Sequence, residues 1–189
     1  MAQSEVAICN RALGAIGSDA LISLAQETKA ARLCALLYPE LRDEVLRSHP
    51  WNGATARAAL PALTAAPAFE FACAYQLPSD CLRVLRVYEA HASDRWLVEG
   101  RTIVTDLSAP LRIEYIRQVT DPALLDPLLT SAIAARLAMD LATSLADNAS
   151  LRQQMEREYK RVLREARGVD GQESSLRRLA SDAFVEARL

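Results

Sequence analysis

The sequence predicts an α+β protein, mainly α: a helical bundle with an inserted small antiparallel β module and a C-terminal arm. Three observations carry this. Apolar residues recur every three or four positions over 28–47 and again over 128–145, the repeat of a helix with a buried face. Residues 69–118 instead alternate apolar and polar side chains between turn signals, the repeat of half-buried strands. Beyond Gly168 the period is lost and the chain turns polar. The expected organisation is a single domain over 1–168, with helical parts 1–68 and 119–168 around a β insertion at about 69–118, and an arm over 169–189.

Each element has its own signals. Ser4 is placed to cap a first helix carrying Val6, Cys9, Leu13 and Ile16 on one side, and Gly17 follows where a left-handed stop favours glycine. No lysine–serine pair follows these glycines, so no phosphate loop is built there. Thr28 caps a second, longer helix. Ala31, Cys34, Leu37, Tyr38, Leu41, Val45 and Leu46 give it a broad apolar face. Pro39 lacks the N–H for its turn and predicts a kink. Asp43 and Arg47 sit at i,i+4, a pairing worth a few tenths of a kcal/mol. His49 precedes Pro50 and is driven out of the helical region, so the helix stops and Trp51 is delivered at the turn.

The alanine-rich run 54–68, interrupted by Pro61 and Pro67, predicts a broken, partly helical connection. Phe71, Cys73 and Tyr75 then alternate. Pro78 and Asp80 make a turn, because proline fixes φ and an aspartate can bond its own backbone. Leu82, Val84, Leu85 and Val87 form an extended run. Residues 95–98 and 102–105 flank Gly100 as a hairpin. Leu111, Ile113 and Tyr115 share one face of a further strand. Arg83, Arg86 and Arg112 read as edge charges that deter pairing between chains, or as a face for an acidic partner.

Asp121-Pro122 opens the second helical part. Ile133, Leu137, Leu141 and Leu145, with Ala134, Ala138 and Ala142, predict a central core helix. Its one acid, Asp140, reads as a satisfied or rim-facing carboxylate. Asn148 or Ser150 caps a charged helix over 151–167, with a narrow apolar stripe and a Glu156–Lys160 pair. Residues 169–175 read as a linker, and 176–189 as a short helix or an extended arm.

Composition bounds the function. A chain of 189 residues buries roughly 70% of its unfolded surface without metals or disulfides. A net charge of −2 argues against a protein whose main work is gripping nucleic acid, but leaves room for one that encircles DNA without holding it. The four cysteines form no C-x-x-C pair and read as buried, reduced thiols, consistent with a reducing cytoplasm. No run approaches the ~18 apolar residues of a membrane helix, and the N-terminus carries no basic-then-apolar signal. His49 and His91 have no second ligand at metal spacing, and no serine lies in a nucleophile elbow. The sequence therefore nominates no catalytic, cofactor-binding or metal-binding residue.

Two stretches carry a resemblance. Arg42-Asp43, followed by Leu46-Arg47 and Pro50-Trp51, resembles the RD-x-x-L-R-x-x-P-W signature of phage head-to-tail adaptors, the tail tubular protein A family of short-tailed phages and prophages. Tyr75, Leu77, Pro78 and Asp80 are similar to that family's Y-x-L-P-x-D box. The run from Ile8 through Leu24 and the closing Phe184-Val185-Glu186-Ala187-Arg188 extend the similarity over nearly the whole chain. The resemblance implies a structural virion protein at the head–tail junction, assembled in the host cytoplasm. In the family, subunits form a dodecameric ring under the portal protein and present a platform for the tail nozzle or next tail component. DNA passes through without sequence-specific binding, and no membrane, enzyme activity or cofactor is involved. A head-completion adaptor of a long-tailed phage or gene transfer agent is the competing reading, and a tail-associated glycan or peptidoglycan hydrolase a further one. The resemblance makes Arg42, Asp43, Pro50, Trp51, Tyr75, Pro78 and Asp80 structural motif residues. It also makes the arm a partner-binding segment, with Arg177, Arg178, Leu179, Phe184, Val185 and Arg188 as contacts. The free chain is then expected to be a monomer or weak oligomer, and truncation after Gly168 to spare the fold.

Overall fold

The computed structural model describes residues 3–88, 90 and 94–173. Arg177, Arg178, Leu179, Phe184, Val185 and Arg188 lie outside the described residues, as does His91. The fold is α+β, mainly α. Among the described residues there are four α-helices and two three-stranded antiparallel sheets.

Helix α1 spans Glu5–Ala15, and the Ser4 side chain accepts from the Ala7 N–H. It ends in a Schellman turn: Ser18 N–H donates to Leu13 O, Gly17 N–H donates to Gly14 O, and Gly17 takes φ 73°. Helix α2, Lys29–Arg47, is capped by Thr28 and runs through Pro39 without ending. Helix α3, Pro127–Ser144, is capped by Asp126 with proline in its first turn. Ile133, Leu137, Leu141, Ala138 and Ala142 on it are fully buried. It packs against α1, α2 and the last helix, as a central core helix should.

Helix α4, Ala149–Gln172, is capped by Asn148 and buries only Met155, Val162 and Ala166. It overturns the expected linker over 169–172, because the helix continues through Gly168 and Gly171 to Gln172. Glycine costs a helix about 1 kcal/mol against alanine, and tertiary contacts described below offset that cost.

Strand β1, Thr55–Leu60, corrects the expected helical connection and moves the start of the β module from about 69 to 55. Alanine has little preference for a strand; the partner strand decides. The other strands are β2 (Cys73–Gln76), β3 (Cys81–Val87), β4 (Trp96–Glu99), β5 (Thr102–Thr105) and β6 (Leu111–Arg117). Sheet order is β1-β6-β3 in one sheet and β2-β5-β4 in the other, so two small sheets replace the single one expected. Arg112 therefore sits on a central strand, while Arg83 and Arg86 do lie on an edge strand. Gly100, φ 57°, turns the β4–β5 hairpin.

Two apolar cores result. The larger joins the four helices with Trp51, Ala54, Ile116 and Val119. The smaller lies between the sheets and gathers Leu60, Tyr75, Ile103, Leu111, Ile113 and Tyr115. Strand β6 serves both, since neighbouring side chains point to opposite faces. No helix among the described residues is long and apolar enough to cross a membrane.

Candidate functional site

The two motif stretches meet in space, at the junction of α2 with β3 and β6. Arg42 is 4% exposed. Its Nε donates to Asp43 Oδ1 at 2.9 Å, and its guanidinium lies 5.8 Å from the Tyr38 ring centre. The other Asp43 oxygen accepts from Gln118 Nε2 at 2.6 Å. The Gln118 backbone N–H donates to Asp80 O at 2.7 Å. Asp80 Oδ1 in turn accepts from the Tyr115 hydroxyl at 3.2 Å. Gln118, directly after β6, thus ties the aspartate of one motif to the aspartate of the other. Burial, and then the Asp80 carboxylate, push the Tyr115 hydroxyl above its ordinary pKa.

Arg47 completes the junction. Its Nη1 donates to the Leu82 carbonyl, and Arg83 Nη1 donates back to Arg47 O at 3.3 Å. The expected Asp43–Arg47 pair gives way to these contacts. Asp43 instead accepts from Arg42 and Gln118, and Arg47 donates to a backbone carbonyl of β3.

Pro78 and Asp80 sit in the turn between β2 and β3, held from outside by Arg101. That guanidinium donates to Cys81 O at 2.8 Å, Ser79 O at 3.0 Å and Pro78 O. Tyr75 is fully buried, and its hydroxyl donates to Leu107 O at 2.6 Å.

The other end of the first motif grips α4. Trp51 is 2% exposed and its Nε1 donates to Val45 O at 3.0 Å, a carbonyl in the last turn of α2 that also accepts from Ser48. His49 stacks edge-on against Trp51 with ring centres 4.6 Å apart. Asp170 on α4 accepts from His49 Nε2 at 3.2 Å and from Asn52 N–H at 2.9 Å, while Asp170 O accepts from Asn52 Nδ2 at 2.6 Å. Arg167 Nη2 donates to Ser48 O and Oγ. Burial pulls the His49 imidazole below its ordinary pKa, against the opposing pull of Asp170. Nε2 is the ring nitrogen that faces Asp170.

These contacts join Arg42, Asp43, Trp51, Tyr75 and Asp80 to neighbouring elements through hydrogen bonds and burial. Asp140 pairs with Arg136 at 2.8 Å, and Arg136 also holds both oxygens of Glu44 on α2. Cys9 and Cys34 are buried beside each other in the larger core. Their mutual hydrogen bond, then burial, raise the Cys9 thiol. Cys73 is only half-buried. Among the described residues, no group of three or more His, Cys, Asp or Glu side chains is placed to hold a metal ion.

Sequence reading missed Gln118, Arg101, Arg167 and Asp170. Each is an ordinary polar residue on an irregular stretch or helix surface, and only the tertiary fold gives it a partner. A second surface also emerges. The exposed end of the β1–β6–β3 sheet carries Arg57 and Arg112 in an open groove of about 560 Å³ lined also by Ala58, Ala59 and Tyr88, and Arg86 lies 5.9 Å from the Tyr88 ring centre. No protein-family model matches the chain, and no curated protein matches it.

Proposed function

We propose that this chain is the structural subunit of a phage head-to-tail connector, a ring under the portal that offers a platform for tail attachment and DNA passage. One observation supports the reading most. The two stretches that carry the resemblance are distant in sequence, yet they share a single polar junction through Gln118. Residues of a family signature that serve one structural purpose are expected to converge in this way. Coincidental matches to two short patterns carry no such expectation.

A connector subunit also calls for a rigid body whose parts keep a fixed relation within a ring. Arg47, Asp43 and Gln118 hold the β module to the helical body, and Asp170 holds the end of α4 to the Trp51 turn. The proposed partners are the portal protein, the next tail component and further copies of the chain.

The test is assembly. The chain is co-expressed with the portal protein encoded nearest to it, purified, and imaged by negative stain. A ring of this chain on one face of the portal is the expected result, with sedimentation of the chain alone giving a monomer or weak oligomer. Portal particles free of the chain at micromolar mixing would overturn the reading.

A further inference from the structure

The two edges of the β1–β6–β3 sheet are built differently. On the β3 side the register shifts twice, between Cys81 and Arg83 and between Val84 and Arg86. Such irregularities, with charges, blunt an edge against strand pairing. On the β1 side all six residues pair in unbroken register, from Thr55 with Ile116 to Leu60 with Leu111. Among the described residues no strand pairs with the outer side of β1. The strand contains no proline, and three of its six side chains are alanine methyls that let another backbone approach.

The face beside this edge is charged in a fixed order. Register places Arg57, Glu114 and Arg86 in one row across the three strands. Glu114 is fully buried and accepts from the Tyr88 hydroxyl at 3.1 Å. The next row sets Ala59 against Arg112, and the small Ala59 leaves the groove open between Arg57 and Arg112. On the opposite face of β1, Ala56, Ala58 and Leu60 belong to the core between the sheets.

We propose that the outer edge of β1 accepts an extended segment of a partner protein that alternates acidic and apolar residues. Added as a fourth strand, the segment supplies main-chain hydrogen bonds to β1, the usual source of affinity in strand addition. Its acidic side chains face Arg57 and extend the row to alternate negative, positive, negative, positive. Its apolar side chains lie beside Ala56, Ala58 and Leu60 and lengthen the core between the sheets. Basic segments are rejected, because a lysine opposite Arg57 places like charges together. The inference is independent of the connector reading.

The test uses the full chain and two labelled synthetic peptides of about six to eight residues, matched to strand length. One alternates glutamate and valine, the other lysine and valine. Anisotropy is expected to show the glutamate peptide binding at least about tenfold more tightly than the lysine peptide. Arg57→Glu, at an exposed position, should reverse that order. Amide exchange across Thr55–Leu60 should slow when the glutamate peptide is bound. The proposal is overturned by the absence of saturable binding, by a preference that Arg57→Glu leaves unchanged, or by binding that leaves exchange at β1 as it was. Self-association of the free chain that Arg57→Glu abolishes would also overturn it, since a second copy would then own the edge.

Discussion

The helical body and the β module are held together by different forces. The body closes on a continuous apolar core in which Leu137, Ile133 and Leu141 have no exposure. The module has a smaller core of its own; Ile116 and Leu85 also reach the larger core, and polar bonds add direction at the junction: Asp43 to Gln118, Gln118 to Asp80, Arg47 to Leu82. Apolar burial scales with area and has no direction. Hydrogen bonds add little net stability each but fix geometry. The contrast teaches that motif residues at the junction govern where the module sits more than whether the body folds.

The largest effect should come from the body. Trp51→Ala removes a buried ring from the larger core together with its bond to Val45 O, and should cost roughly 3–5 kcal/mol in urea unfolding. A loss below about 1 kcal/mol would place Trp51 outside the core and erase the contrast. Leu137→Ala on α3 should cost about 2–5 kcal/mol, scored in the same assay.

Asp170→Ala comes next. It removes the acceptor for His49 and Asn52, and about 1–3 kcal/mol should be lost. Truncation after Gly168, first expected to be silent, should behave the same way or worse because it deletes Asp170. If that truncated chain melts like the full one, the end of α4 contributes nothing to the body.

Gln118→Ala should cost only about 0.5–1.5 kcal/mol globally. Hydrogen exchange would sharpen the comparison. Amides of β3 and β6 should exchange faster while those of α3 stay as slow as before, and a uniform change across both would show that the two parts are one cooperative unit.

The smallest effect is with pH. Because the His49 pKa is lowered on folding, the unfolded chain binds more protons between the folded value and the ordinary value near ~6.5. Stability should thus be fully present above ~6.5 and fall as pH drops through the lowered value. His49→Gln should remove that slope from a series of urea midpoints, and a slope of the opposite sign would mean that Asp170 outweighs burial.

Much of the body was legible in the sequence. Ser4, Thr28 and Asn148 cap the helices that their positions announced, and the Ile133–Leu137–Leu141 line is buried as its spacing required. The caps are local chemistry, and local chemistry survives tertiary context. Thr55–Leu60 was not legible, since its alanines name no structure and β6 alone makes them a strand. The stretch after Gly168 misled for the opposite reason: a lost apolar period read as a linker, and the docking of Asp170 keeps it helical through Gln172. The motif stretches could be picked out in the sequence, but their partners Gln118, Arg101 and Arg167 gave no signal, because a polar contact across the fold leaves no period.

Gly168 and Gly171 give the last turns of α4 an unusual dependence. Open space surrounds the position of a side-chain carbon at both residues, so close packing is not the reason for glycine there. Taken alone, this segment is among the poorest helix formers in the chain, and its helical state is borrowed from the Pro50–Asn52 turn through Asp170. Helix and turn are consequently linked variables. Whatever loosens Asn52 unwinds the end of α4, and whatever pulls on that end of the helix is felt first at His49 and Asn52, which flank the buried Trp51.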